Sequence, residues 1–223
     1  MDLQTMVGRV RKTLGEPEPN GYGTQSAGTG TWDNSQIIGY LNEALGILAH
    51  DWRKEASTTT AFTSVNQTDV ALPNDCLEDG LRATVYVNSG NEYPMEFVDL
   101  STYQRRAIDA SSVSGLFPVD RRLYTVWGGM VKIYPGAAST SDSLKFYYFR
   151  APASLSAATD IPEIPERFHV ALVYYALKEC QNAVEETNLE LDVAQKWEQE
   201  RIRFRMEMAR NQRDRGIVVR GRR

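Results

Sequence analysis

Apolar residues at the start of the chain recur every three or four positions, the spacing that places them on one face of a helix. One such stripe lies within residues 2–14. Another follows Asp33, a favourable N-cap residue, with Gln36 three positions later as in a capping box. These patterns predict two helices, the second ending near Ala56. The Gly, Ser and Thr residues of 20–31 predict a loop between the two helices.

Helical spacing returns towards the end of the chain. Pro165 stands at a favourable first helical position and is followed by a broad apolar face. A last helix is predicted over 189–214, and its apolar stripe contains Val193, Trp197, Phe204 and Met208. We expect Trp52 and Trp197 to lie at helix surfaces. We also expect the core-facing stripes of the other helices to end before residue 201, so that the body folds without the arm.

The middle of the chain contains short runs of β-branched and aromatic residues bounded by turn sequences, which is typical of strands. The glycines between Trp127 and Met130 predict a tight hairpin. A short helix is predicted over 101–110. The predicted strands are 68–73, 82–87, 92–98, 122–127, 130–135 and 143–149.

These elements predict an α+β fold. The amino- and carboxyl-terminal helices are expected to form a helical bundle that contains an inserted antiparallel β subdomain. Residues 1–56 and 160–200 would form the discontinuous helical body, and residues 57–159 would form the β-rich insertion. Residues 201–223, called the arm below, would extend from the body as a basic, arginine-rich segment.

Charge is distributed unevenly between the body and the arm. The chain has 25 Lys and Arg against 29 Asp and Glu, a net charge of −4. The arm holds nine arginines and two acidic residues, which gives 9 − 2 = +7. Residues 1–200 hold the other 16 basic and 27 acidic residues, a net −11. Crowded like charges repel one another until a partner neutralises them, so the arm is predicted to bind a partner molecule.

Three functions fit the arm: binding to nucleic-acid phosphates, a disordered solubilising tail, or docking into an acidic protein surface. The chain uses arginine and no lysine after residue 196, which favours bidentate pairing. Protein docking and phosphate binding both fit that preference. The apolar residues 217–219 could add as a strand to a partner's sheet edge. The candidate docking residues are Arg201, Arg203, Phe204, Arg205, Arg210, Arg213, Arg215, Ile217, Val218, Val219, Arg220, Arg222 and Arg223.

No sequence feature supports an enzymatic function. His50 and His169 are interpreted as helix-surface or packing residues, and Cys76 and Cys180 as reduced, unpaired thiols. Metal-ligand spacings, a phosphate-binding loop and the GxSxG motif do not occur. We therefore expect no catalytic activity, cofactor or metal. No apolar run approaches the ~20 residues that span a bilayer, so no membrane partner is expected.

Five sequence segments, taken in order, resemble the head-to-tail adaptor proteins (also called connector or neck proteins) of tailed bacteriophages. The segments are WDNSQIIGYLNEAL (32–45), VALPND (70–75), LYTVWGGMVKIYPG (123–136), LKFYYFRAP (144–152) and DIPEIPERFHVALVYYAL (160–177). A long charged helix that ends in the arm follows them. The resemblance spans nearly the whole chain and rests on the order and spacing of these segments together.

The resemblance implies a structural virion protein that assembles as a ring, commonly of twelve copies. The arm would reach into the portal protein, and the opposite face of the ring would receive the tail, nozzle or tail-tube protein. Genomic DNA would pass through the ring without specific binding, because an acidic body repels phosphates. The protein would be assembled in the host cytoplasm and would lie at the neck, or portal vertex, of the virion.

Two alternatives stay open. The chain could be an arginine-rich nucleic-acid-binding protein, or a tail-completion or head-closure protein at a neighbouring ring position. A nucleic-acid-binding module is expected to have a basic folded body, whereas residues 1–200 are acidic.

Overall fold

The chain divides into two compact units. The helical unit consists of Met1–Trp52 and Pro152–Arg223, and the β unit consists of Arg53–Ala151. Within these units, the computed structural model of the protein describes residues 1–16, 32–112, 122–183 and 187–217. The mixture of helices and strands confirms the predicted α+β class.

The described residues form five α-helices and eight strands. The helices are α1 (Leu3–Thr13), α2 (Asn34–Trp52), α3 (Leu100–Ser112), α4 (His169–Asn182) and α5 (Thr187–Ile217), with a short 3-10 turn at Glu166–Phe168 before α4. The strands are β1 (Glu55–Ala61), β2 (Asp69–Ala71), β3 (Cys76–Asn88), β4 (Asn91–Pro94), β5 (Glu96–Phe97), β6 (Leu123–Trp127), β7 (Met130–Tyr134) and β8 (Ser143–Arg150). The predicted short helix of the β segment is α3, and the predicted last helix is α5.

The helical unit is built around one apolar core to which α1, α2, α4 and α5 contribute. Each helix faces this core with apolar residues spaced three or four apart. The core includes Leu3, Met6, Val7, Val10, Ile37, Leu41, Leu45, Leu48, Leu172, Ala176, Val193, Trp197, Phe204 and Met208. The expectation that Trp197 lies at a helix surface is wrong. Its ring is buried against Tyr175 of α4, with ring centroids 5.0 Å apart, because α5 packs along α4.

Polar side chains cap the first two helices. The Asp2 carboxylate accepts a hydrogen bond from the Thr5 amide at 2.9 Å and satisfies one of the exposed amides at the start of α1. At α2 the side-chain oxygen of Gln36 accepts from the Asp33 amide at 3.0 Å, which is the return bond of the predicted capping box. Helix α2 ends at Trp52, before the predicted Ala56, and Arg53 then adopts a left-handed φ of 49°.

The β unit contains two four-stranded sheets, with strand orders β1-β8-β3-β4 and β2-β7-β6-β5. Their inner residues form one core that includes Phe62, Val70, Tyr86, Tyr124, Val131, Ile133, Leu144 and Phe146. Strands β6 and β7 are joined by the predicted tight hairpin, in which Gly128 and Gly129 both have positive φ, at 60° and 74°. A two-residue hairpin requires this conformation, which glycine adopts without strain.

The predicted antiparallel pairing is confirmed for most of the β unit, and one edge departs from it. Strand β5 pairs with β6 in parallel, with Glu96 opposite Leu123 and Phe97 opposite Tyr124. A parallel pair needs a crossover connection, and the segment that contains α3 supplies it between these two strands. The other strand pairs are antiparallel.

Candidate functional site

Helix α5 carries the first part of the arm and has two unlike faces. It contains 31 residues, a length of about 46 Å at about 1.5 Å per residue. Phe204 and Met208 continue the buried stripe of Val193 and Trp197, so the core of the helical unit extends to residue 208. The helical body, predicted to end at residue 200, therefore shares its core with the first part of the arm. Phe204, proposed from sequence as a docking residue, packs inside the chain.

Two arginines of the arm pair with one carboxylate of the helical unit. Arg201 Nε lies 3.4 Å from Asp51 Oδ2, and Arg205 Nε lies 3.1 Å from Asp51 Oδ1. The arginines are four residues apart and so face the same side of α5. Asp51 lies in the last turn of α2, where the helix dipole disfavours an anion and nearby cations compensate. The two arginines thus fasten the base of the arm to α2.

The outward face of α5 is apolar at its centre and basic at its margins. Ile202 and Met206 are exposed and lie one turn apart. Arg203, Arg205 and Arg210 are exposed beside them. Arg203 Nη1 pairs with Glu200 of the same helix at 2.7 Å. This face, from Ile202 to Arg210, is called the outer face of α5 below.

An open groove of about 410 Å³ runs beside the outer face. Its apolar lining comes from Phe168 and Met206, and its charged lining includes Arg167, Glu207 and Arg210. Arg167 and Glu207 form an ion pair across it. In the part of the chain that the structure describes, the Arg210 guanidinium has no carboxylate within 4.0 Å. The groove therefore offers an apolar floor beside a cation that is available to a partner.

The remaining arm residues are described only in part. The backbone of α5 continues through Arg213 and Arg215 to Ile217. The side chains beyond Arg210 lie outside the described residues, as does all of 218–223. The candidate docking residues Val218, Val219, Arg220, Arg222 and Arg223 belong to this last segment.

The Gly-rich segment 20–31 also lies outside the described residues, but the chain on either side of it is held at one point. Arg11 donates to Glu16 Oε2 at 2.9 Å, to the Trp32 carbonyl at 2.6 Å and to Asn34 Oδ1 at 2.9 Å. The Trp32 amide donates to Glu16 Oε1 at 3.2 Å. The Arg11 and Glu16 side chains are both about nine-tenths buried. This charge-assisted network joins the chain at Glu16 to the chain at Trp32 and Asn34.

The histidines and cysteines occupy the structural positions that the sequence indicates. His169 is buried, with Nε2 2.9 Å from the Ile164 carbonyl, and His50 is exposed. Burial raises the pKa of the Cys180 thiol to about 12, and Glu16 and Glu179 add to the shift. Burial also raises the pKa of the Cys76 thiol. Both cysteines are free.

Metal-binding clusters and membrane-spanning helices are both absent from the residues that the structure describes. Within 1–16, 32–112, 122–183 and 187–217, no three His, Cys, Asp or Glu side chains gather as they would around a metal ion. None of the helices in these ranges combines the length and the apolar character needed to cross a bilayer.

A family model described as SU10 adaptor protein matches residues 1–222, which is nearly the entire chain. The chain belongs to the SU10 adaptor protein family. It is thus a structural adaptor protein of the bacteriophage virion, and its family is not an enzyme family. Membership in an adaptor family implies ring assembly and contact with portal and tail proteins. No curated protein matches the adaptor at a significant level.

Sequence reasoning did not find two parts of this site. The pairing of Asp51 with Arg201 and Arg205 joins residues about 150 positions apart, and only the four-residue spacing of the arginines hints that they share a partner. The groove depends on Arg167, which follows a loop and reaches Glu207 on a distant helix. No local pattern encodes either contact.

Proposed function

We propose that this adaptor forms a ring at the portal vertex and docks on the portal protein through its arm. The ring, of about twelve copies, extends the DNA channel and provides the platform on which the tail or nozzle assembles. Family membership supports the general role. The observation that carries the docking mode is the basic composition of the chain after Met208, the last buried residue among those whose side chains the structure describes.

A strongly basic segment follows Met208. Residues 209–223 contain six arginines and one aspartate, a net +5. Among the described residues, the arm arginines that pair with carboxylates are Arg201, Arg203 and Arg205, all before Met208. The arginines beyond residue 210 are the ones we assign to the portal. Each offers a planar, bidentate donor that suits a carboxylate on a protein partner.

The net charge of residues 1–200 supports a role as a channel through which DNA passes. Residues 1–200 have a net charge of −11, so a ring built from them presents negative charge to DNA phosphates. Repulsion of this kind lets a genome slide past without binding. Specific DNA binding by the folded body would need the opposite charge.

A truncation test follows from the position of Met208. Deletion from residue 201 would remove buried Phe204 and disturb the core, so the informative variant ends at Arg210. We expect this variant to keep the helical content and melting temperature of the full chain, apart from the residues removed. Its binding to portal-bearing particles that lack the adaptor should fall at least tenfold. Binding at the level of the full chain would exclude the arm end as the anchor.

The matched control replaces the arginines beyond residue 210 with lysine and keeps the charge. Intermediate binding by this variant is expected, because lysine cannot reproduce bidentate pairing. A salt titration with duplex DNA separates the nucleic-acid alternative. Phosphate binding through several arginines predicts tight binding that falls steeply as salt rises, whereas portal docking predicts weak binding to DNA.

A further inference from the structure

The helical unit exposes three large apolar side chains among its described residues. They are Ile161, 65% exposed, Ile202, 48% exposed, and Met206, 69% exposed. Most large apolar side chains of this unit are buried in its core, so exposed ones that cluster with charges indicate contact surfaces. They fall on two segments of opposite charge.

The basic segment is the outer face of α5. Ile202 and Met206 form its apolar centre, and Arg203, Arg205 and Arg210 surround it. The groove beside Met206 has room for an apolar side chain, and the Arg210 guanidinium at its margin can receive a carboxylate.

The acidic segment lies between β8 and α4, over residues 160–166. It contains three acidic residues, Asp160, Glu163 and Glu166, and no basic one, and Ile161 projects from it. The Glu166 side chain is 84% exposed, and its Oε1 lies 3.3 Å from the Met1 ammonium group. The Asp160 carboxylate accepts hydrogen bonds from the Ser156 and Ala157 amides, both at 2.7 Å, which lower its pKa and keep it ionised.

The acidic segment is also held rigidly. The Asp160 carbonyl accepts from the Leu3 amide at 2.8 Å, and the Ala158 carbonyl accepts from the Gln4 amide at 3.0 Å. Pro162 and Ile164 are buried, so the backbone on both sides of Ile161 is anchored. A rigid apolar side chain among fixed charges loses little conformational entropy when it binds, which favours a specific contact.

We propose that the acidic segment of one copy binds the outer face of α5 in the next copy, with Ile161 seated in the groove beside Met206. The occupant is a second copy because the chain itself carries both complementary surfaces. A contact between two different surfaces of identical subunits is heterologous, and when its rotation closes it generates a ring. This inference rests on the proposed ring, and it assigns that ring a subunit interface.

Cross-linking tests the contact directly. Ile161→Cys and Met206→Cys are combined in a full-length chain that carries Cys76→Ser, and Cys180 remains buried. The variant is bound to portal-bearing particles and oxidised, and its products are separated by mass without reductant. We expect a ladder of dimers, trimers and larger products. Each single-cysteine variant should give no product larger than a dimer.

The outcomes distinguish this inference from the proposed function. Normal occupancy on the particles without a ladder, or with a cross-link confined to one chain, overturns the interface and leaves portal docking intact. Failure of the wild-type chain to bind the particles overturns the proposed function and the inference with it.

Introducing a charge at Ile161 provides a second test of the interface. Ile161→Asp should lower occupancy on the particles at least tenfold, because the groove floor formed by Phe168 and Met206 is apolar. The matched control is Val65→Asp, an exposed apolar position in the β unit, which should bind as the wild type does. Equal occupancy for Ile161→Asp and wild type contradicts the proposal.

Discussion

The ring of Phe204 stands edge-on to the ring of Phe168, with centroids 5.0 Å apart and an angle of 85° between the planes. This contact joins the first part of an arginine-rich arm to the start of α4. Both rings are buried, so the arm is anchored by an aromatic contact as well as by ion pairs. The basic segment therefore begins inside the fold.

Replacement of Phe204 by alanine should destabilise the helical unit. Loss of a fully buried phenylalanine costs about 3–5 kcal/mol, because apolar contacts are lost and a cavity remains. Ile202→Ala, two residues away on the exposed face, should change the free energy of unfolding by less than about 0.5 kcal/mol. Urea unfolding followed by far-ultraviolet circular dichroism measures both. Equal effects would mean that residue 204 is not part of the core.

Asp51→Asn should loosen the base of the arm. The substitution removes the charge that Arg201 and Arg205 share, and we expect a loss of about 1–2 kcal/mol, since the carboxylate is largely buried and binds two guanidinium groups. Asp192→Asn, which breaks an exposed pair with Lys196, is the matched control and should cost less than about 0.5 kcal/mol. A double-mutant cycle with Arg205→Ala should show coupling for Asp51 and none for Asp192.

Arg11→Ala should be strongly destabilising. Arg11 and Glu16 are both buried, and loss of one charge from a buried pair costs about 3–5 kcal/mol. Arg9, on the exposed side of α1, supplies the control substitution Arg9→Ala. The melting temperature of Arg11→Ala should drop by several degrees while Arg9→Ala melts as the wild type does. Similar melting of both variants would show that the Arg11 network does not stabilise α1 and α2.

The buried thiol of Cys180 should make the helical unit less stable at alkaline pH. Its pKa is about 12 in the fold against an ordinary value of 9.0, so the unfolded chain loses the proton first as pH rises. Because the fold keeps the thiol neutral, the free energy of unfolding falls progressively between pH 9 and 12. Cys180→Ala removes the ionisable thiol and with it this pH dependence. The stability advantage of wild type over the variant in urea unfolding should shrink from pH 8 to pH 11, and a constant difference would contradict the assignment.

Much of this adaptor could be read from local sequence. Helical spacing located α1, α2, α4 and α5, because each helix buries a single face whose period is visible along the chain. Residues that set backbone conformation located the capping box at Gln36 and the hairpin at Gly128 and Gly129. The charge difference between body and arm is a property of composition and needs no fold.

Other features depended on which elements meet in space. The parallel pairing of β5 with β6, the burial of Trp197 and Phe204, and the pairing of Arg201 and Arg205 with Asp51 each join segments far apart in sequence. Local periodicity shows that a residue belongs to an apolar stripe, but it does not show how far the neighbouring helix extends along that stripe. Only the packing of α4 against α5 decided that the core continues as far as Met208.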